Sequence, residues 1–457
     1  MADEVDQLRA TLSLGSGSVI TDPDVMDGYR RDQTTVATAG QPRCVVTAAS
    51  TADVAATLAW AQRHQVPVVA RGGGTSLAGG ATAVDGCVVL SLSRLNSIRE
   101  INAADEIAVA HAGVITADLD RAAAAHGLMY APDPSSFESC TIGGNLATNA
   151  GGLRCVKYGV TRDSALGLEV VLAGGRILRT GRRTVKGVAG YDLTSLFVGS
   201  EGTLGVITSA TLRLRHRPAA YPRTMMAAFG SFAAAARAVT EILAVRLAPS
   251  LLEIIDRATL RAIDEYRQLG FGTGVSALLI AQDDSGDGPR QVERMRQICL
   301  AEGATVAEVS ASEAESRELL AIRRLAYPAV ERLGLALVED VCVPRSRLTE
   351  MIERIETSAD RHGVFIATVA HAGDGNLHPV FVCDRGLTEV PAAIWAAADE
   401  VFSAALDLGG TLTGEHGVGV IKRRWLEREL GEESMSVHRA IKHALDPYAI
   451  MNPGKVL

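Results

Sequence analysis

Short apolar runs along the chain alternate with longer stretches whose apolar positions recur every three or four residues, the patterns of strands and amphipathic helices. Cys44–Thr47 is the first predicted strand. Ser50 then offers an N-cap oxygen with Asp53 three residues on, a capping-box-like start, and a helix is predicted through Val54, Leu58 and Trp60 to about Gln65. Pro67–Ala70 is the next strand, so the opening reads strand–helix–strand, the unit of a parallel sheet. Further strands are predicted at Val88–Leu92, Ile98–Asn102, Ile107–Ala110, Glu169–Leu172, Ile177–Thr180 and Thr203–Leu214, with a helix over Thr116–His126. Ala131–Gly152, dominated by Gly, Pro, Ser and Asn, is expected to be one long loop.

The composition shifts at Pro218–Pro222, and a domain boundary is placed there. The expected division is a first domain over 1–218, a second over 219–410, and a closing segment over 411–457. Beyond the boundary, strands at Met225–Phe229, Leu251–Ile255, Ser276–Ala281 and Ala336–Val341 alternate with helices near 232–247, 290–302, 312–327 and 346–362. That is an α+β pattern of the split-βαβ kind with an antiparallel sheet. Asp283–Pro289 reads as an exposed turn, and Gly409–Leu457 as glycine-rich loops with one helix.

Composition narrows the function classes. A chain of 457 residues, 47% hydrophobic and 21% charged, is a globular protein of two or three domains, not a disordered or fibrous one. A net charge of −8 argues against nucleic acid or an anionic membrane as a general partner. The seven cysteines contain no CxxC pair and lie mostly in apolar runs, so they read as buried thiols of a cytoplasmic protein. The opening MADEVDQLRA has no apolar core, so no signal peptide is expected. The longest apolar stretch, Met225 to Val245, is broken by Gly230, Ser231, Arg237 and Glu241, too polar to span a bilayer. Any association with the inner membrane is therefore expected to be peripheral.

Candidate chemistry begins in the glycine-rich loops. After a strand, Arg71-Gly72-Gly73-Gly74-Thr75-Ser76 can turn sharply and point several N–H groups into one concavity, a nest for a pyrophosphate. Taken alone, the motif fits a plain tight turn equally well. It is neither a GxGxxG opening a helix nor a Walker loop. Pro132-Asp133-Pro134-Ser135-Ser136 leads into Thr141-Ile142-Gly143-Gly144-Asn145-Leu146-Ala147-Thr148-Asn149-Ala150-Gly151-Gly152, which has little that can pack a core. Tyr158-Gly159 and Gly199-Ser200-Glu201-Gly202-Thr203-Leu204-Gly205 add two more permissive turns. Four such loops in one domain argue for a large ligand with a phosphate and a flat ring.

The motifs RGGGTS, PDPSS, TIGGNLATNAGG, GSEGTLG, HAGDGNLH and GEHGVG stand in that order from about Pro42 to Leu457. Together they resemble the vanillyl-alcohol-oxidase and p-cresol-methylhydroxylase flavoproteins, and more narrowly the branch of D-lactate dehydrogenase, the glycolate oxidase FAD subunit and D-2-hydroxyglutarate dehydrogenase. The resemblance implies an α+β fold with a two-part N-terminal FAD-binding domain of the p-cresol-methylhydroxylase type. A ferredoxin-like α+β substrate domain with an antiparallel sheet follows, and a C-terminal segment returns to the flavin. The resemblance implies that the FAD pyrophosphate lies on Arg71, Gly72, Gly73, Gly74, Thr75 and Ser76. On the isoalloxazine side it implies Pro132, Asp133, Ser135, Thr141, Gly143 and Gly144, followed by Ala147, Thr148, Asn149 and Gly151. Glu201, Gly202 and Ile207 are expected at the adenine half, with Tyr158, Gly159, Gly205 and Asn452 completing the cofactor set. Thr75 and Ser76 stand where some relatives carry a flavin-linking His, so FAD is expected to be non-covalent.

His371 and His378 stand seven apart across a glycine-rich turn, and Glu415-His416 adds a carboxylate and a third imidazole, from only ten histidines in the chain. Two imidazoles and a carboxylate leave positions open on a metal ion, as catalysis requires. A histidine pair in a turn is otherwise a structural pair. The resemblance places one divalent metal on His371, His378 and Glu415. Zinc is favoured, and manganese or iron(II) also suits nitrogen and oxygen donors. On this reading the 2-hydroxy acid chelates the ion and His416 takes the hydroxyl proton, while C2 delivers hydride to flavin N5. The alternative role for His416 is to orient the carboxylate of Glu415 without taking a proton. Arg323, on a predicted helix, is expected to clamp the substrate carboxylate, and Arg324 to face solvent.

Two departures bear on substrate. By the resemblance, the hydroxyglutarate branch carries a Lys shortly before an Asp-Val pair and an Asn two residues after the second metal His. Here those places hold Val338 or Glu339, and Val380. D-lactate is therefore expected first and glycolate next, and the run Glu339-Asp340-Val341-Cys342-Val343-Pro344 resembles D-lactate enzymes. The alternatives are a D-2-hydroxyglutarate dehydrogenase, an FAD subunit of a multi-subunit glycolate oxidase, a non-catalytic flavin subunit, and a metal hydrolase without flavin. Expected partners are a small 2-hydroxy acid, an external electron acceptor (quinone, cytochrome or redox protein), and a second copy in a homodimer.

Overall fold

Ser50 caps the first long helix as its position suggests. Its Oγ accepts from the Asp53 N–H at 3.1 Å, and the helix runs Thr51–His64 until Gln65 turns left-handed at φ +53°. This is a computed structural model that describes residues 2–12, 17–34, 36–218 and 221–457. The expected boundary at Pro218–Pro222 thus falls partly on 219–220, outside the described residues. The helix buries Val54, Leu58 and Trp60 against a four-stranded sheet in the order Ser18–Ile20, Cys44–Thr47, Val88–Ser91, Val68–Arg71. The last three strands are parallel. Every residue of Cys44–Thr47 and Val88–Ser91 is buried, which is why these strands read as unbroken apolar runs. The chain's last segment returns to this sheet: the Val68 N–H donates to Ile450 O at 2.8 Å, and the Asn452 N–H to Val68 O at 2.8 Å.

A second sheet is wholly antiparallel, in the order Ile98–Asn102, Ile107–His111, Val206–Arg213, Ala165–Val171, Ile177–Gly181. The expected loop over Ala131–Gly152 is corrected here, because it contains a helix at Ile142–Thr148. Glycine disfavours helix in isolation. Capping and burial override that cost. Thr141 Oγ1 accepts from Gly144 N–H at 3.2 Å, Asn149 closes the helix at φ +52°, and Ile142 and Leu146, one turn apart, enter the core.

Arg215–His216 and Leu128–Met129 form a two-stranded sheet, and an eight-stranded sheet, also antiparallel, runs in the order Ala304–Val309, Arg223–Phe229, Ala277–Asp283, Leu251–Asp256, Phe365–His371, Asn376–Val382, Ala336–Val338, with Val341–Cys342 also on Asn376–Val382. The pair Phe365–His371 and Asn376–Val382 is absent from the sequence reading, as are helices Arg257–Arg267 and Ala392–Asp407. Both hairpin strands are almost entirely buried, so they lack the polar alternation that marks a strand, and Pro379 argues against a strand interior. The expected strand Ala336–Val341 breaks after Val338, where the buried carboxylate of Asp340 turns to the loop at Thr413–Gly414.

The chain forms two compact units. One comprises Met1–Gly151, Gly159–Arg217 and Glu415–Leu457; the other comprises Gly152–Tyr158 and Pro218–Gly414. Among the described residues no helix is long and apolar enough to cross a membrane.

Candidate active site

The first unit contains a cleft of about 1150 Å³, counted out to its open mouth. The glycine loop enters it with Arg71, Gly72, Gly73, Gly74, Thr75 and Ser76. The short helix and its flanks add Ser135, Thr141, Gly143, Gly144, Ala147, Thr148 and Gly151. Glu201, Gly202, Gly205 and Ile207 form a further wall. Leu77, Leu92 and Val206 also line it and were not anticipated, since aliphatic residues carry no chemical signature. Glu415 and His416 line this same cleft.

Several expected cofactor residues do not line it. Pro132 is buried and Asp133 half-buried beside it. Asn149 Oδ1 accepts from the Arg162 N–H at 2.9 Å. Gly159 turns at φ +79° against the Asp163 carboxylate. Tyr158 belongs to the second unit, where its hydroxyl donates to Asp284 Oδ2 at 2.6 Å and Lys157 pairs with the same carboxylate. Asn452 acts from behind the wall: its Nδ2 donates to Gly80 O at 2.9 Å and to Glu201 O at 2.7 Å.

Gly73 needs a different explanation from the open nest expected of it. A Cβ there would meet Ser139 O at 2.4 Å, so close approach of two backbones already demands glycine. Arg71 is half-buried, and its Nη1 donates to Arg31 O at 2.8 Å. Burial pulls its guanidinium below the usual arginine range, with Asp32 offsetting part of that.

Two buried carboxylates hold the peptide that carries Glu415 and His416. On the second-unit side, Asp340 accepts from Thr413 Oγ1 at 2.9 Å and from the Gly414 N–H at 2.6 Å. On the first-unit side, Glu201 accepts from the N–H groups of Val418 at 2.7 Å and Gly419 at 2.8 Å. Burial pushes the Glu201 carboxyl up to about 7 against the pull of those two N–H groups. Both its oxygens are thus engaged with the loop, a task the sequence reading did not assign to it. The loop leaves His416 Nε2 at 3.8 Å from Glu415 Oε1, too far for a hydrogen bond.

In the second unit, His371 ends one hairpin strand and His378 lies in the next. The register pairs Val369 with His378 and His371 with Asn376. The two histidines are therefore diagonal neighbours on one face of the sheet. Their rings meet edge-on with centroids 4.8 Å apart, and both are buried. The turn between them requires Gly375, which sits at φ +93° where a Cβ would strike Val343 O at 2.1 Å. Across the sheet Glu253 pairs with His371, and its Oε1 lies 2.6 Å from His371 Nδ1. Arg323 Nε donates to the other oxygen, Oε2, at 2.7 Å, while Arg324 is exposed. Glu253 was not singled out from the sequence, where Leu251-Leu252-Glu253-Ile254-Ile255 reads only as a strand.

Residues 42–181 match the FAD binding domain family, and residues 219–456 match the family described as FAD linked oxidases, C-terminal domain. The chain is 42% identical over 421 residues to the glycolate oxidase subunit GlcD of Bacillus subtilis, covering 91% of this chain and 89% of that one. It is 36% identical to the D-lactate dehydrogenase of Archaeoglobus fulgidus, over 94% of this chain and 96% of that one. To the D-2-hydroxyglutarate dehydrogenase of Xanthomonas citri it is 34% identical, over 95% and 93%. Among solved structures, substrate-bound p-cresol methylhydroxylase superposes with a TM-score of 0.81 at 18% identity, over 100% of this chain and 96% of that one. That likeness establishes the fold. With both domains matched, and with relatives aligned over more than 90% of its length, the chain belongs to the FAD-linked oxidases, in the branch that holds GlcD, D-lactate dehydrogenase and D-2-hydroxyglutarate dehydrogenase.

Proposed function

We propose that the protein is an FAD-dependent dehydrogenase that oxidises a short D-2-hydroxy acid, D-lactate before glycolate, to the 2-oxo acid. The observation that carries this reading is the presence of Glu415 and His416 in the wall of the glycine-rich cleft. That cleft suits FAD, because its walls are largely backbone and small side chains that let a flat, phosphorylated ligand approach closely. Thr75 and Ser76 offer no ring or thiol for a covalent link, so the flavin is held non-covalently. FAD, when bound, supplies the two-electron acceptor.

The buried imidazoles of His371 and His378 suit a divalent metal, and Glu415 is the third donor that the family resemblance implies. The ion, zinc by preference, would supply Lewis acidity toward the substrate hydroxyl. The chain's own groups do the rest. His416 accepts the hydroxyl proton. Arg323, whose Nη nitrogens are not used by Glu253, grips the substrate carboxylate with its guanidinium fork.

The strand positions beside His378 support a short substrate. Val380 shares its face, and Val338 lies directly opposite Val380 in the register. A methyl group fits beside two valines, whereas a distal carboxylate there finds no partner. Electrons then leave to an external acceptor.

Steady-state turnover with an artificial acceptor tests the assignment. D-lactate is expected to exceed D-2-hydroxyglutarate in kcat/KM by about a hundredfold, the range of a charged group left without its partner. A preference for D-2-hydroxyglutarate, or a colourless protein, overturns it. The 42% identity to a GlcD subunit supports a second reading, the FAD subunit of a multi-subunit glycolate oxidase. Glycolate outperforming D-lactate in the same assay would favour that one.

A further inference from the structure

We propose that Glu253 is a positioning residue that, through one carboxylate, sets both the tautomer of His371 and the aim of Arg323. The proposal rests on the metal and substrate roles given above to those two residues. Glu253 is fully buried, at 0% exposure. Its face of the strand also presents Leu251 and Ile255, and Ile280 lies across from it, all in the apolar core. A carboxylate in such surroundings is unfavourable for the fold, and an aliphatic side chain of similar size would pack there more readily. What it gains are two directed contacts: His371 Nδ1 at 2.6 Å on Oε1, and Arg323 Nε at 2.7 Å on Oε2.

Each contact has a chemical consequence. A carboxylate has only acceptors, so the hydrogen of His371 sits on Nδ1. The lone pair is then on Nε2, the nitrogen left to bind a metal ion. Arg323 is held by Nε alone, which fixes the plane of the guanidinium and leaves its two Nη nitrogens as a fork for a second carboxylate. Because one group performs both tasks, metal binding and carboxylate binding should change together when it changes.

Glu253→Gln separates this from a packing role. Glutamine is nearly isosteric but has one acceptor and one donor, so it cannot accept from both partners. If its oxygen faces Arg323, its NH₂ faces His371 Nδ1. That favours the tautomer with hydrogen on Nε2, which cannot bind the ion. On FAD-loaded protein stripped of metal, the zinc dissociation constant of the E253Q protein is expected to rise roughly 10–100-fold. The KM for D-lactate in zinc-saturated protein is expected to rise about tenfold or more, with flavin content unchanged. Glu253→Asp keeps both acceptors on a shorter stem and is expected to shift both constants in the same direction by less. It serves as the test if the glutamine variant does not fold. Unchanged zinc affinity and unchanged KM, in a parent that does bind zinc, overturn the inference alone. A parent that takes up no zinc overturns the metal reading, and this inference with it.

Discussion

His416→Ala is expected to slow flavin reduction by D-lactate by well over a hundredfold, with FAD and metal content unchanged. Loss of a general base typically costs roughly 10²–10⁴-fold, whereas loss of a group that merely orients a metal ligand costs roughly 10–100-fold. The structure makes this a clean experiment. The peptide around His416 is anchored by Asp340 before it and by Glu201 after it, through contacts to Thr413, Gly414, Val418 and Gly419. None of those four contacts uses the imidazole, so each of them survives its removal. Glu415 Oε1 stands 3.8 Å from His416 Nε2, too far for a hydrogen bond. The deficit should shrink at high pH, where hydroxide can take the proton instead. A rate within about tenfold of the parent would mean that another group takes the proton.

His371→Ala and His378→Ala are each expected to lose the metal and to lower turnover on the order of a thousandfold or more, while the protein stays yellow. A bound ion contributes several kcal/mol of charge stabilisation during reaction, and each kcal/mol changes the rate about fivefold. Flavin should persist because both histidines belong to the second unit, whereas the glycine-rich cleft is built wholly from the first. Both side chains are buried in the sheet, so melting temperatures must be read alongside, to separate loss of the ion from loss of the fold. Elemental analysis gives the decisive count. One ion per parent chain and none in either variant is expected; an active parent preparation without metal contradicts the assignment.

The two units were legible to different degrees, for physical reasons. The strand–helix–strand opening follows from local signals that act within a few residues: an apolar run, Ser50 as a cap, a left-handed stop at Gln65. The glycine-rich motifs marked the cleft, because so many small residues in one domain cannot build a core. What failed was local reading of positions fixed by tertiary contacts. Ile142–Thr148 is helical despite two glycines because Thr141 and Asn149 cap it and Ile142 and Leu146 are buried. The strands of the histidine hairpin carry no alternating signal because they are buried on both faces, and the second contains Pro379. Glu201 and Glu253 gave no sequence signal of their tasks. A buried carboxylate that holds two donors from distant segments becomes visible only when those segments are brought together. Glycine likewise proved ambiguous: Gly73 is demanded by the carbonyl of Ser139, a packing reason that a motif cannot distinguish from ligand contact.

The function proposed for this chain is the oxidation of a short D-2-hydroxy acid by bound FAD. Anaerobic mixing of the purified protein with D-lactate and, separately, with L-lactate tests it most directly, with flavin absorbance and product both followed. Bleaching by D-lactate with one pyruvate formed per flavin is expected, and a flavin that stays oxidised with L-lactate. A flavin that stays oxidised in the presence of D-lactate, glycolate and D-2-hydroxyglutarate alike contradicts it.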